Sequence, residues 1–387
     1  MPAHHSHPEA VLTVTGWGMA SSLGLDVVTS CAAARASIRR ASEIADLVLP
    51  SEEDGKDVLP IGHPAALLTH GFEGYARLVR LLQAGLRDLV AQAWPNQKEP
   101  LPGTTLYLSL PHPQRVYSRL DLITNQERRR VIESEGKADD RPPIAATAAS
   151  LISRAATLLR WKSVPRLAFV TTAGRTGVTE ALKAAMRDLA TAPEGSRAIV
   201  GGVDSLLDSR TLEWLNETGQ LKHANNPVGV EPGEAAGFLV VERADGVDRS
   251  TKKLRARLSA AVHVDADSAS STSGDCLSAA ILAAHEAAGG AMPRWLLSDH
   301  DGTPGSALEM GGMSVRLTEK WQGVRPHFIY PTLAFGDVGA AMGAVASCLA
   351  IAAWDRGWAP EPSAIITSGN GQGCRAAHVL LAPSWGD

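Results

Sequence analysis

Apolar residues return every three or four positions between residues 72 and 94. Tyr75, Leu78, Val79, Leu82, Leu86, Leu89 and Val90 form one stripe, with Arg77, Arg80, Arg87 and Asp88 off it. That period predicts an amphipathic helix, N-capped by Thr69 and stopped by Pro95. A second helical pattern runs from residue 178 to about 192, apolar at 178, 181, 182, 185, 186 and 189 and rich in alanine, which permits close approach to neighbours. A third run, residues 338–354, is apolar on every face. It falls short of the roughly 20 residues a bilayer crossing needs and predicts a helix enclosed by protein all round. The short apolar runs 106–110 and 167–170 read as strands. Between residues 121 and 143 the composition turns polar, from Asn125-Gln126-Glu127-Arg128-Arg129-Arg130 to Glu133-Ser134-Glu135-Gly136-Lys137. This reads as a solvated surface excursion in preference to a docking patch.

The 167–170 strand and the 178–192 helix meet at Thr171-Thr172-Ala173-Gly174-Arg175-Thr176-Gly177. A strand that turns sharply into a helix presents its tip to unpaired N–H groups and the positive end of the helix dipole. Both favour an anion and depress a thiol pKa, so enzymes place nucleophiles there. The tip here is Gly174, which has no side chain to attack anything.

Other glycine-rich segments give that absence a context. Val14-Thr15-Gly16-Trp17-Gly18-Met19-Ala20-Ser21-Ser22-Leu23-Gly24 opens the chain, and Val200-Gly201-Gly202-Val203-Asp204 follows the elbow. Pro232-Gly233-Glu234-Ala235-Ala236-Gly237, Phe335-Gly336-Asp337-Val338-Gly339-Ala340-Ala341-Met342-Gly343 and Ser368-Gly369-Asn370-Gly371-Gln372-Gly373 come later. In this order, across about residues 11 to 382, the segments resemble those of the β-ketoacyl synthases, the condensing enzymes of the thiolase superfamily. The resemblance implies an α/β fold, the five-layer αβαβα arrangement made of two duplicated halves. The polar stretch 243–253 then marks the boundary between an N-terminal half, 1–245, and a C-terminal half, 246–387.

The resemblance also defines what has been lost. A condensing enzyme needs a thiolate nucleophile, histidines that donate hydrogen bonds to a developing enolate, and backbone N–H groups as an oxyanion hole. Matching the family's motifs places Gly174 at the cysteine, Asp337 at the second histidine and Thr332 at the lysine five residues ahead of it. Asp299 falls at the first histidine, or His300 if one residue is deleted. A carboxylate at 337 would repel an enolate or a malonyl carboxylate. The closing turn, Gly369, Gly371 and Gly373, borders the family's active site and is followed by Cys374, a low-ranking substitute nucleophile without a base in the sequence around it. Asp299, His300, Asp301 and Asp337 are not expected to hold a metal, because adjacent residues seldom converge on one ion.

Composition narrows the function further. A formal charge of −4 gives no reason to expect nucleic acid or an anionic membrane as partner. No basic segment followed by an apolar run opens the chain, so a cytoplasmic location is expected. Cys31, Cys276, Cys348 and Cys374 show no metal or disulfide spacing. His4, His5 and His7 read as a polar terminus, since nothing nearby completes a ligand set. No cofactor is expected. The resemblance implies a homodimer, or a heterodimer with a related chain, paired through the strand beside the elbow. The alternative is a monomer whose edge is covered by the 121–143 excursion. The segment Asp204-Ser205-Leu206-Leu207-Asp208, with Thr211-Leu212-Glu213-Trp214-Leu215 and Gln220-Leu221, is similar to thiolase-like proteins encoded beside type VI secretion components. The expected function is therefore a non-catalytic accessory or scaffold, with a secretion component or an acyl-carrier protein as possible protein partner. The alternatives are a chain-length-factor-like partner of an active ketosynthase, or an acyltransferase using non-standard residues.

Overall fold

The computed structural model describes residues 11–45, 47–50, 57–112, 123–136, 143–243, 253–265, 273–289, 294–369 and 373–383. Among them ten strands form one mixed sheet: β1 (Leu12–Ser21), β2 (Thr105–Ser109), β3 (Arg166–Thr171), β4 (Arg197–Ser205), β5 (Glu234–Arg243), β6 (Ala256–Val264), β7 (Trp295–Ser298), β8 (His327–Ile329), β9 (Ser363–Gly369) and β10 (Arg375–Leu381). Their spatial order is β8-β7-β9-β10-β6-β1-β5-β4-β2-β3. Counted from either edge, the third strand of each set of five comes first, then the second, fourth, fifth and first. The pairing senses repeat too, parallel on both sides of β2 and β7 and antiparallel from there to the seam. The two sets meet only where β1 runs antiparallel to β6, through Leu12↔Leu258, Thr13↔Arg257 and Val14↔Ala256.

The longer helices are α1 (Val27–Arg35), α2 (Gly74–Ala93), α3 (Gln126–Gly136), α4 (Ile144–Leu159), α5 (Gly177–Ala190), α6 (Ser209–Glu217), α7 (Ser273–Ala287), α8 (Pro304–Lys320) and α9 (Met342–Asp355). Strand alternation sorts them into layers. Leu106, Leu108, Phe238 and Val240 turn to one core with α2 and α4, while Tyr107, Leu239 and Val241 turn to another with α5 and α9. On the second set, α7 and α8 close a third core over Leu296, Ile365 and Val379. The elbow helix α5 and the apolar helix α9 touch strands of both sets, so they form the middle layer of an αβαβα stack. As the sequence pattern requires, α9 is buried from Met342 to Ala353. No described helix is long and apolar enough to cross a membrane.

The α2 reading needs correcting in two places. Thr69 ends a short preceding helix and bonds to Ala65 O and Glu234; Glu73 is the N-cap and its side chain makes no capping bond to the helix. Two of the charged residues placed off the apolar stripe are buried, because each has a partner. Arg77 Nε donates to Glu234 at 2.6 Å, and Asp88 accepts from the N–H groups of Met19 and Val27 at 2.9 and 2.8 Å. Tyr75, assigned to the stripe, is exposed instead. Within the polar excursion, α3 docks on α6 through Arg128, which pairs with Glu213 and Glu217. The half-exposed strand β3 ends the sheet. The N-terminal histidines and residues 244–252 of the expected boundary lie outside the described residues.

Candidate functional site

The elbow is built as the sequence predicts. β3 ends at Thr171, a tight helical turn spans Gly174–Thr176, and α5 starts at Gly177. The helix enters close to the sheet because Gly177 has no side chain: a Cβ there would lie 2.2 Å from Ser109 Oγ. Gly174 has φ of +63°, left-handed backbone that favours glycine, and among the described residues nothing lies within 4 Å of where its Cβ would be. The tip is open, shaped and empty of chemistry.

What occupies the centre is the next residue. Arg175 reaches from the elbow to three aspartates on two loops of the second strand set. Its Nη2 donates to Asp301 Oδ2 at 2.8 Å, its Nε lies 3.2 Å from both Asp337 oxygens, and its Nη1 is 3.7 Å from Asp299 Oδ2. Asp337 is only 5% exposed and Arg175 only 20%. Asp337 Oδ1 also accepts from Gly339 N at 2.9 Å, and Asp301 Oδ1 accepts from Thr303, the residue that caps α8. One guanidinium thus gathers the two positions matched to the family's histidines and a third acid the sequence reading had given no role.

Electrostatics follow from that gathering. Burial works against a charge on Arg175, but Asp337, Asp301 and Asp299 outweigh it and hold its pKa above the ordinary arginine value. Burial pushes Asp299 up to about 6, against the pull of Arg175 and of the Gly369 N–H. For Asp301 burial acts upward too, yet Arg175 and the Thr303 hydrogen bonds prevail and keep it below the usual carboxylate range.

The remaining sequence candidates fall into place around this cluster. Asp299, not His300, faces Arg175: His300 Nδ1 meets Ser306 Oγ at 2.7 Å, and its ring packs against Tyr330. Thr332 is buried and donates its hydroxyl to His300 O at 2.5 Å, a tie to the backbone. Gly369 joins the site through its N–H, which donates to Asp299 Oδ2 at 2.8 Å. Gly373 has φ of +101° at the far side of the turn, and Gly371 lies outside the described residues. Cys31, Cys276 and Cys348 are buried. Cys374 is half-buried and donates to Asp265 Oδ1 at 2.9 Å.

Chemically, this is a charge-neutralising clamp. The elbow offers no thiolate, the Arg175 donors are directed at carboxylates, and the Thr332 hydroxyl is spent on a carbonyl. Asp299 and Asp337 present acceptor oxygens to Arg175.

No protein-family profile matches the chain, and no curated protein matches it. Solved structures do. The ishigamide ketosynthase/chain length factor aligns over 97% of this chain and 100% of its own at 18% identity, with a TM-score of 0.65. A type II PKS ketosynthase in complex with its acyl-carrier protein and bound to the hexaketide aligns over 97% and 100% at 13% identity and a TM-score of 0.69. The module 6 ketosynthase of the Bacillus subtilis 168 bacillaene synthase aligns over 97% of this chain and 72% of its own at 12% identity and a TM-score of 0.66. The architecture is the thiolase-like ketosynthase fold.

Proposed function

We propose that this chain is a catalytically silent ketosynthase-like protein that acts by association, as an accessory or scaffold. The observation that carries the reading is the Arg175 clamp: beside an elbow without a nucleophile, Asp299 and Asp337 are consumed as counter-charges. Replacing two histidines by acids would ruin an active site, but it suits a buried arginine that needs partners. We place the division between its halves at residues 245 and 246. The similarity of segment 204–221 to proteins encoded beside type VI secretion components supplies one setting for the accessory role. Within the fold those residues have structural work. Asp208 caps α6 by accepting from Thr211 N at 3.1 Å, and Leu206, Leu207, Leu212, Leu215 and Leu221 form a small core with Ile44.

A chain-length-factor-like partnership is the second reading. It is favoured by the full-length alignment with the ishigamide ketosynthase/chain length factor and by β3, which ends the sheet among the described residues and could extend it across a two-fold axis. Both readings share one test. Purified protein incubated with malonyl-loaded carrier protein should release carbon dioxide at the rate of a protein-free control, and sustained release or condensation would overturn the silent assignment. Co-expression with an intact ketosynthase then separates the roles, a stable heterodimer favouring chain-length control.

A further inference from the structure

We propose that His263, Asp265 and Cys374 form a binding site for a zinc-class divalent cation, oriented by Glu180 and Thr171. The placement follows from strand register. β6 and β10 pair antiparallel through His263↔Ala376 and Val264↔Arg375, so the next step along the ladder sets Asp265 opposite Cys374. Side chains two apart share a face, which brings His263, Asp265 and Cys374 together at the end of one ladder. Asp265 and Cys374 are 109 residues apart in sequence, so no local spacing motif announces the cluster.

The atoms are arranged as ligands. Cys374 Sγ lies 2.9 Å from Asp265 Oδ1, and His263 Nδ1 lies 3.9 Å from the same oxygen. One donor atom from each of the three residues falls within 4.8 Å of the others. Zinc bonds of about 2.0–2.3 Å imply tetrahedral vertices roughly 3.3–3.8 Å apart, so small side-chain rotations suffice. A nitrogen, a carboxylate oxygen and a thiolate sulfur are a zinc donor set.

The surroundings are those of a ligating histidine. His263 Nε2 sits 3.2 Å from Glu180 Oε1, and Glu180 Oε2 accepts from Thr171 Oγ1 at 2.7 Å. Glu180 beside Nε2 leaves Nδ1 on the side of Asp265 and Cys374, the placement of carboxylate support that metal-binding histidines receive. On binding, the sulfur–metal bond replaces the Cys374 S–H and the proton leaves to solvent. Among the described residues three supply ligands to this site. Asp265, 76% exposed, gives the ion a route in. Glu180 and Thr171 belong to the first turn of α5 and the end of β3, so occupancy also stiffens the elbow.

The test uses the full chain, stripped with chelator and titrated with cobalt(II) and then zinc. Cobalt should produce a sulfur-to-cobalt charge-transfer band saturating at one ion per chain, and zinc should bleach it. Cys31, Cys276 and Cys348 are buried, and the band is blind to His4, His5 and His7, so it reports Cys374. Cys374→Ser should abolish the band, His263→Gln should weaken cobalt affinity at least tenfold, and Glu180→Gln should weaken it about 10–100-fold. Absence of the band from the wild-type chain overturns the proposal, as does a band that survives Cys374→Ser.

Discussion

Arg175→Met removes the charge at the centre of the clamp while keeping an unbranched side chain in its space. It leaves Asp299, Asp301 and Asp337 facing one another, with side-chain exposures of 11%, 10% and 5%. Breaking a buried ion pair by deleting one partner costs about 3–5 kcal/mol, because a buried charge is left uncompensated. At roughly 2.1 cal/mol/K of unfolding entropy per residue, 387 residues give about 0.8 kcal/mol/K, so the melting temperature should fall by about 4–6 °C. The loss should depend on pH in a fixed direction. Asp301, held below its ordinary pKa by Arg175, contributes stability that is present above its unfolded value and lost as pH falls through the lower folded value. Asp299, raised to about 6, acts oppositely: its contribution is complete below the unfolded value and is lost as pH rises through about 6. Without Arg175, Asp299 and Asp301 bind protons more readily, so the variant should be penalised most near pH 8 and recover part of the loss near pH 5. Thermal melts followed by circular dichroism at both pH values measure this. Adding Asp337→Asn should restore part of the stability at pH 8. An unchanged melting temperature, or a penalty that deepens as pH falls, would refute the clamp as the electrostatic centre.

Gly174→Cys should fold, since among the described residues nothing lies within 4 Å of the new Cβ, at a cost of about 1–2 kcal/mol for left-handed backbone. The new thiol should alkylate with iodoacetamide, yet malonyl decarboxylation should stay at background, because losing even one electrostatic contributor costs about 10²–10³ in rate. His378, buried between Thr179 and Ser347 and held down to about 3 by burial, adds stability above its unfolded pKa that is lost as pH falls. His378→Gln should therefore flatten the acid limb relative to wild type by about 2 kcal/mol between pH 6.5 and 5. Light scattering at micromolar concentration should report a dimer joined through β3, which Val170→Lys should weaken; a clean single-chain mass for the wild type would reject that interface.

Much of the fold was legible because burial leaves a periodic trace. α9 is apolar on all faces, α5 carries a helical stripe, and the elbow lies where a strand run gives way to that stripe. The missed features are those in which a polar residue is buried with a distant partner. Arg77 and Asp88 read as surface charges because Glu234 and the N–H groups of Met19 and Val27 are remote in sequence. Arg175 was in plain view beside Gly174 without a role. Its signal was charge: acids at two positions matched to histidines ask for a buried cation, and the elbow supplies one. The same remoteness hid the neighbours of Cys374, His263 and Asp265, which lie on and just past the adjacent strand.

The central claim is that the ketosynthase elbow is retained while its chemistry is gone. Intact-mass spectrometry after incubation with acyl-coenzyme A and acyl-carrier protein thioesters tests it most directly. The account predicts an unshifted mass, because Gly174 offers no sulfur and Arg175 is bound to its aspartates. A stoichiometric acyl adduct, mapped by peptide digestion to any single residue of the elbow or to Cys374, would contradict it.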